Sequence, residues 1–114
     1  MIERMRYTGR VASPIEGATD GPLLTVDDGS DRSYRVVLGA NVVGRGDDAA
    51  FVLTDVLVSR RHFVIEWDGR HAVLYDRWST SGTFVNGVPV QTRQLADGDT
   101  IRVGHSALLF RART

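Results

Sequence analysis

The chain reads as an all-β protein, a sandwich of two twisted sheets of short, mostly antiparallel strands with long loops at its ends. Three observations predict that class. From Leu23 onward, apolar and β-branched residues come in short runs separated by turn signals at close intervals. Dipeptides suited to tight turns, Asp68-Gly69, Asn86-Gly87 and Asp97-Gly98, interrupt those runs. No stretch sustains helical spacing over three turns, and the 12 glycines are spread throughout.

Taken in order, Met1 to Pro22 is loosely polar, lacks periodicity and reads as a flexible N-terminal tail or linker. A short strand at Arg6 to Val11 is its one candidate element. Residues 23–114 form the domain. "YRVVLG" alternates, with Tyr34, Val36 and Leu38 on one face and Arg35 on the other. "HFVIEW" and "RHAVLYD" flank Asp68-Gly69 as a hairpin with a two-residue turn. "TFV" and "VPV" repeat the device around Asn86-Gly87, and Pro89, lacking an amide proton, belongs on an edge strand. After Asp97-Gly98 a strand carries Ile101 and Val103 inward, with Leu95 also in the core, and a last strand closes the sheet at Ala107 to Phe110. Trp67 and Trp78 read as packing residues; the alternative for Trp78 is a place beside a ligand groove.

Composition excludes several classes of function. The 114 residues suit one domain, which buries roughly two thirds of its unfolded surface. The apolar fraction of 42% and charged fraction of 25% are ordinary for a globular protein. Apolar runs fall far short of the ~20 residues of a membrane span, and no secretory signal pattern is present, so a cytoplasmic protein without direct membrane insertion is expected. Absence of cysteine rules out disulfides and thiolate metal sites. His62, His71 and His105 are scattered, so neither metal nor cofactor is expected. Net charge is zero, and Arg60-Arg61 is a lone basic pair without stacking aromatics, which argues against nucleic acid. All 14 basic residues are arginine, so an anion site here must use planar guanidinium donors.

Polar groups crowd into "GRGDD" (Gly44 to Asp48), "VSRRHF" (Val58 to Phe63) and "STSGTFVNG" (Ser79 to Gly87). Guanidinium groups, hydroxyls and flexible backbone are the donors that hold a phosphate ester. Arg45-Gly46-Asp47 also spells an adhesion tripeptide, but an inward Arg45 and a solvated Asp47-Asp48 make it a coincidence. Ser59 and His62 lack both a G-x-S-x-G elbow and an evident orienting acid, so recognition rather than catalysis is expected.

The blocks "GRG", "SRRH", "STSGTFVNG" and "LADGDTIRVG", in this order and spacing, resemble a forkhead-associated (FHA) domain from Leu23 to Arg111. In texture the chain is similar to bacterial FHA proteins of actinobacteria that act in Ser/Thr kinase signalling. The resemblance implies a β-sandwich of about eleven short strands whose loops at one end bind phosphothreonine peptides. The partner it implies is a phosphothreonine-containing protein, a Ser/Thr kinase or its substrate, met by a monomeric adaptor domain. Arg45 matches the arginine that pairs with phosphate or steadies its loop, and Ser59 the serine that donates to phosphate oxygens. Arg60 stands at a second donor position, and Thr80 matches a threonine beside the phosphoresidue. His62 and Asn86 match loop-bracing residues, while Gly44 and Gly82 match positions without a Cβ. Preference for threonine over serine is likewise carried by the resemblance, through a small pocket for the γ-methyl group.

Ser81 departs from the pattern, where asparagine commonly reaches the peptide main chain. Serine is shorter and lacks the amide donor, a loss of about 1 kcal/mol that bridging water offsets in part. Leu57 occupies a place where some members carry an arginine that selects acidic residues, so that preference is not expected. The contrasting reading is a phosphate-independent interaction or dimerisation module using a sheet face or the tail. Thr8 and Thr19 add the possibility of a phosphorylated tail that folds back on the domain.

Overall fold

Alternation of inward and outward side chains organises both layers of the computed structural model, which describes residues 21–112. The strands are β1 (Leu23–Val26), β2 (Ser33–Arg35), β3 (Gly39–Gly44), β4 (Phe51–Val52), β5 (Phe63–Trp67) and β6 (Ala72–Asp76). They continue with β7 (Thr83–Val85), β8 (Val88–Pro89), β9 (Thr92–Gln94), β10 (Thr100–Val103) and β11 (Ser106–Arg111). One sheet runs β2-β1-β11-β10-β7-β8 and the other β4-β3-β5-β6-β9. All pairings are antiparallel except β3 with β4. Among the described residues, no helix is long and apolar enough to cross a membrane.

Between the sheets lies one core. Leu24, Val26, Val36, Ile101, Val103, Leu108 and Phe110 meet Val43, Phe63, Ile65, Trp67 and Leu74 there. Burying such side chains contributes roughly 1.5–3 kcal/mol each, and without cysteine this packing carries the fold together with the ladders. Leu95, Ile101 and Val103 are buried as the sequence predicts, and Pro89 lies in the edge strand β8.

Asn86-Gly87 makes the expected two-residue turn: Val85 pairs with Val88, and both turn residues have positive φ, 52° and 82°. The Asp68-Gly69 turn sits one residue later than the sequence implies. The ladder ends at Trp67 opposite Ala72, and Asp68 N–H donates to the His71 carbonyl at 3.2 Å. Asp68 Oδ1 accepts the Arg70 and His71 amides, replacing a main-chain acceptor, so Gly69-Arg70 is the turn. Those amides hold the Asp68 carboxyl down at about 2.

Three further expectations are corrected. Leu38 is 56% exposed, because β2 stops at Arg35 and the chain turns at Gly39 (φ 93°) before alternation reaches it. Trp78 is 90% exposed rather than packed among the described residues. Gly21 and Pro22 are not tail: both are buried, their carbonyls accepting Arg35 Nη1 and the Val36 amide. The strand expected at Arg6 to Val11, the rest of the tail and the fold-back of Thr8 or Thr19 lie outside the described residues.

Register assigns the loops to two ends. Val43, Phe63 and Asp76 align at one end, and Gly39, Trp67 and Ala72 at the other. The first end therefore carries the β3–β4, β4–β5, β6–β7 and β10–β11 connections, and is called the near end below. The β2–β3, β5–β6, β7–β8 and β9–β10 connections form the far end.

Candidate phosphopeptide site

The near end is built on a close approach of two chain segments. A Cβ on Gly44 would lie 2.1 Å from the Arg60 carbonyl oxygen and 2.8 Å from that of Ser59. Glycine is required there for space, so its role is steric rather than conformational. The approach lets the two loops zip together: Arg45 N–H donates to the Ser59 carbonyl at 2.9 Å, and Gly46 N–H to the Arg60 carbonyl at 3.0 Å. Arg45 Nε donates to the Val58 carbonyl at 3.0 Å, which fixes the base of the guanidinium. Arg45 is exposed rather than inward, and its Nη atoms take no partner among the described residues.

His62 ties this pair of loops to the third. Its ring is 0% exposed. Nδ1 accepts the Ser59 amide at 3.0 Å, and Nε2 lies 2.8 Å from the Gly82 carbonyl. Nδ1 therefore carries no proton and Nε2 carries one, a tautomer imposed by its two partners. The His62 carbonyl also accepts the Arg77 amide. With both ring nitrogens engaged by main chain, Ser59 Oγ has no base beside it; that oxygen instead accepts the Thr80 amide at 3.2 Å.

Asp76 shapes the β6–β7 loop, and sequence reasoning missed it. Its carboxylate accepts the Ser79 amide and hydroxyl and the Thr83 hydroxyl, at 3.1, 2.5 and 2.7 Å. Burial pushes the Asp76 carboxyl up, but the bonds from Ser79 and Thr83 outweigh it and hold it below the ordinary value. Ser79 Oγ in turn accepts the Gly82 amide. Gly82 has φ 88°, a left-handed conformation that glycine adopts without steric cost. Ser81 turns its hydroxyl onto the Leu57 carbonyl at 2.9 Å and so staples one loop to another.

Asp55 was missed as well. It accepts the Leu57 amide, the His105 amide and the Ser106 hydroxyl, and so props the β4–β5 loop against the β10–β11 turn. The Leu57 amide, with the Ser106 hydroxyl and His105, overcomes burial and keeps the Asp55 carboxyl below its usual value. The Asp76-x-x-Ser79 and Asp55-x-Leu57 spacings, each an aspartate accepting an amide two or three residues on, were the available signals.

Arg45, Ser59, Arg60, Thr80 and Ser81 thus share one end of the molecule with Gly44, His62 and Gly82. Arg60 is exposed, 3.7 Å from a still more open Asp47. Arg61 is held by Asp48 at 2.7 Å. Asn86 does not join them. It sits at the far end, where its Nδ2 donates to Asp99 and its Oδ1 accepts the Thr100 amide. Among the described residues, no group of three or more His, Asp or Glu is placed to hold a metal ion.

Comparison with known proteins gives the family. A family model described as "FHA domain" matches residues 41–104. The chain belongs to the FHA family. The FHA domain-containing protein FhaA of Mycobacterium tuberculosis is 57% identical over 88 residues, which are 77% of this chain and 17% of FhaA. Glycogen accumulation regulator GarA of Mycolicibacterium smegmatis is 36% identical over 106 residues, 90% of this chain and 67% of GarA. A structure from a study of phosphothreonine-dependent FHA domain interactions has 54% identity and a TM-score of 0.81, covering 82% of this chain and 97% of that one. The FhaA FHA domain complexed with the intracellular domain of Rv3910 has 55% identity and a TM-score of 0.79, covering 80% and 100%. The FHA family is one of binding modules, and this FHA domain shares its architecture throughout the described strands.

Proposed function

We propose that the near end of this FHA domain binds phosphothreonine on a partner protein, so that the chain acts as a non-enzymatic adaptor downstream of Ser/Thr kinases. One observation carries the reading: the His62 network gathers a tethered Arg45 guanidinium, the Ser59 hydroxyl and the Thr80-Ser81 segment at one end. A phosphothreonine brings roughly −1.5 to −2 charges and three acceptor oxygens, which suits these donors. In the bound state Arg45 Nη atoms and Ser59 Oγ donate to phosphate, Arg60 adds a second cation, and Thr80 and Ser81 line the phosphoresidue. His62, Gly44 and Gly82 keep the loops in place without touching ligand.

Discrimination against unmodified threonine follows from the same groups. Without phosphate they remain hydrated at an exposed surface and lose little, whereas phosphate replaces water with charge-assisted bonds. The likeness to a domain studied for phosphothreonine-dependent FHA interactions supports a phosphothreonine-bearing partner, which on this reading is a kinase or its substrate met in the cytoplasm. The segment before Gly21 serves as a linker, with the FHA unit monomeric.

Calorimetric titration with degenerate phosphothreonine, phosphoserine and unphosphorylated peptide pools tests this, with Arg45→Ala in parallel. Binding confined to the phosphothreonine pool and lost with Arg45 is expected. A folded protein that ignores all pools would contradict the reading. The second reading, a phosphate-independent dimer, rests on the outer face of the β4-β3-β5-β6-β9 sheet, where Val42, Val64 and Tyr75 align across three strands. Concentration-dependent association abolished by Tyr75→Asp would favour it.

A further inference from the structure

Among the described residues, the non-glycine residues with positive φ are Asp31, Trp78 and Asn86. Asp and Asn tolerate the left-handed region because their short polar side chains bond locally; a bulky aromatic residue there is an outlier. Trp78 has φ 58° and is 90% exposed. The loop imposes this conformation. Arg77 N–H is held by the His62 carbonyl, and Ser79 is held by Asp76, so the chain must reverse at the residue between them. Glycine or asparagine would serve that turn without strain. Tryptophan instead costs the free domain twice, in backbone conformation and in apolar surface left in water.

Such a cost without return in the free state points to a bound state in which the ring is covered. Its position says by what. Trp78 precedes Ser79 and Thr80 in the same loop, next to the proposed phosphate site, while Arg77 lies along the outer sheet face with Val64, Glu66 and Tyr75. Trp78 is two positions before Thr80, at most about 7 Å between Cα atoms, and an extended peptide advances about 3.3 Å per residue. The indole therefore reaches peptide positions roughly two to four residues from the phosphothreonine. Arg45, Arg60 and Arg61 make the surroundings unfavourable to a cationic peptide side chain. Ser81 spends its hydroxyl on Leu57 and leaves the peptide main chain with less to grip.

We infer that Trp78 is a specificity-determining residue that stacks on an apolar side chain (aliphatic, proline or aromatic) flanking the phosphothreonine of the bound peptide. The inference rests on the phosphothreonine reading and adds to it the chemical class of the partner's flank.

The test uses phosphothreonine peptides that share a Gly/Ser/Ala background. One set carries Leu, Pro or Phe at single positions two to four residues from the phosphothreonine, and one peptide carries none. Against the parent protein, an apolar residue at one of these positions should tighten binding roughly three- to tenfold, as expected for one aromatic contact. Trp78→Asn should remove that gain, leave the plain peptide within twofold, and melt at or above the parent's temperature. Trp78→Phe should keep part of the gain.

Acrylamide quenching supplies an independent readout, because Trp67 is buried and remains as the reference in Trp78→Asn. Quenching of the parent should fall on binding an apolar-flank peptide and barely change with the plain one. Equal affinity of the parent for both peptide classes, or a preference that survives in Trp78→Asn, would overturn the role of Trp78 while leaving phosphothreonine binding intact. A folded parent that binds neither class overturns the phosphothreonine reading, and the Trp78 inference with it.

Discussion

The two ends of the sandwich use the same device, a buried polar side chain that knits loops together, to opposite effect. At the far end Asn41 is 0% exposed and closes on itself. Its Oδ1 accepts Tyr34 Oη and the Val37 amide, and its Nδ2 donates to the carbonyls of Val37, Gly39 and Ile65. Nearby, Asn86 and Asp99 spend their side chains on each other and on turn amides. At the near end His62 is equally buried, yet what it organises is left open: Arg45 Nη atoms, the Ser59 hydroxyl proton and exposed Thr80. A saturated hub stabilises a fold. A hub that holds unsaturated donors in place at the surface prepares a site, because the ordering entropy of those donors is met before ligand arrives.

This contrast can be broken from either side. The largest effect on stability should come from Asn41→Leu, which strands the Val37 amide and three carbonyls at the far end. A loss of about 3 kcal/mol or more is expected by chemical denaturation, with phosphopeptide affinity per folded molecule unchanged. Arg45→Ala should do the reverse. Losing charge-assisted bonds worth about 1.5–3 kcal/mol weakens phosphothreonine binding by roughly 10- to 150-fold, while the melting temperature moves only by the loss of one tether to Val58.

Acid sharpens the comparison next. Asp76 has its folded pKa lowered, so its stabilising contribution is complete above the unfolded value near 3.9 and fades as pH falls through the folded value. Melting temperature should therefore decline on the acid side, and the decline should be shallower in Asp76→Asn than in the parent. A parallel decline in both would mean that the Asp76 hub contributes nothing. The smallest effect is expected from Ser81→Asn, which gives up the staple to Leu57 but offers an amide to the peptide. A gain of up to about 1 kcal/mol, roughly fivefold in affinity, is expected by calorimetry.

Much of this fold was legible in the sequence because its signals are local. Asn86-Gly87 needs only its own dihedrals to make a turn, and Pro89 only its missing amide proton to choose an edge. The near-end loops were legible through resemblance, since their residues recur at fixed spacing. What escaped depended on geometry that spacing does not encode. Asn86 lies in the same block as Gly82, but β7 carries the chain between them from the near end to the far end, so it braces other loops. Leu38 fits the alternation of its neighbours, and only the turn at Gly39 turns it outward. Asp76 and Asp55 went unnoticed because their roles rest on amide and hydroxyl partners in other loops as well as their own. Trp78 reads as a packing residue, with a place beside a ligand groove as the alternative, because hydrophobicity does not reveal the left-handed, exposed turn it occupies.

The most direct test of an open near end and a closed far end is a residue-resolved amide NMR titration of the domain with a phosphothreonine peptide. Shifts should concentrate at Arg45, Gly46, Ser59, Arg60, Thr80, Ser81 and Gly82, with Asn41, Asn86 and Asp99 unmoved. Shifts along Val42, Val64 and Tyr75 instead, insensitive to removal of the phosphate, would contradict the account and move recognition to the sheet face.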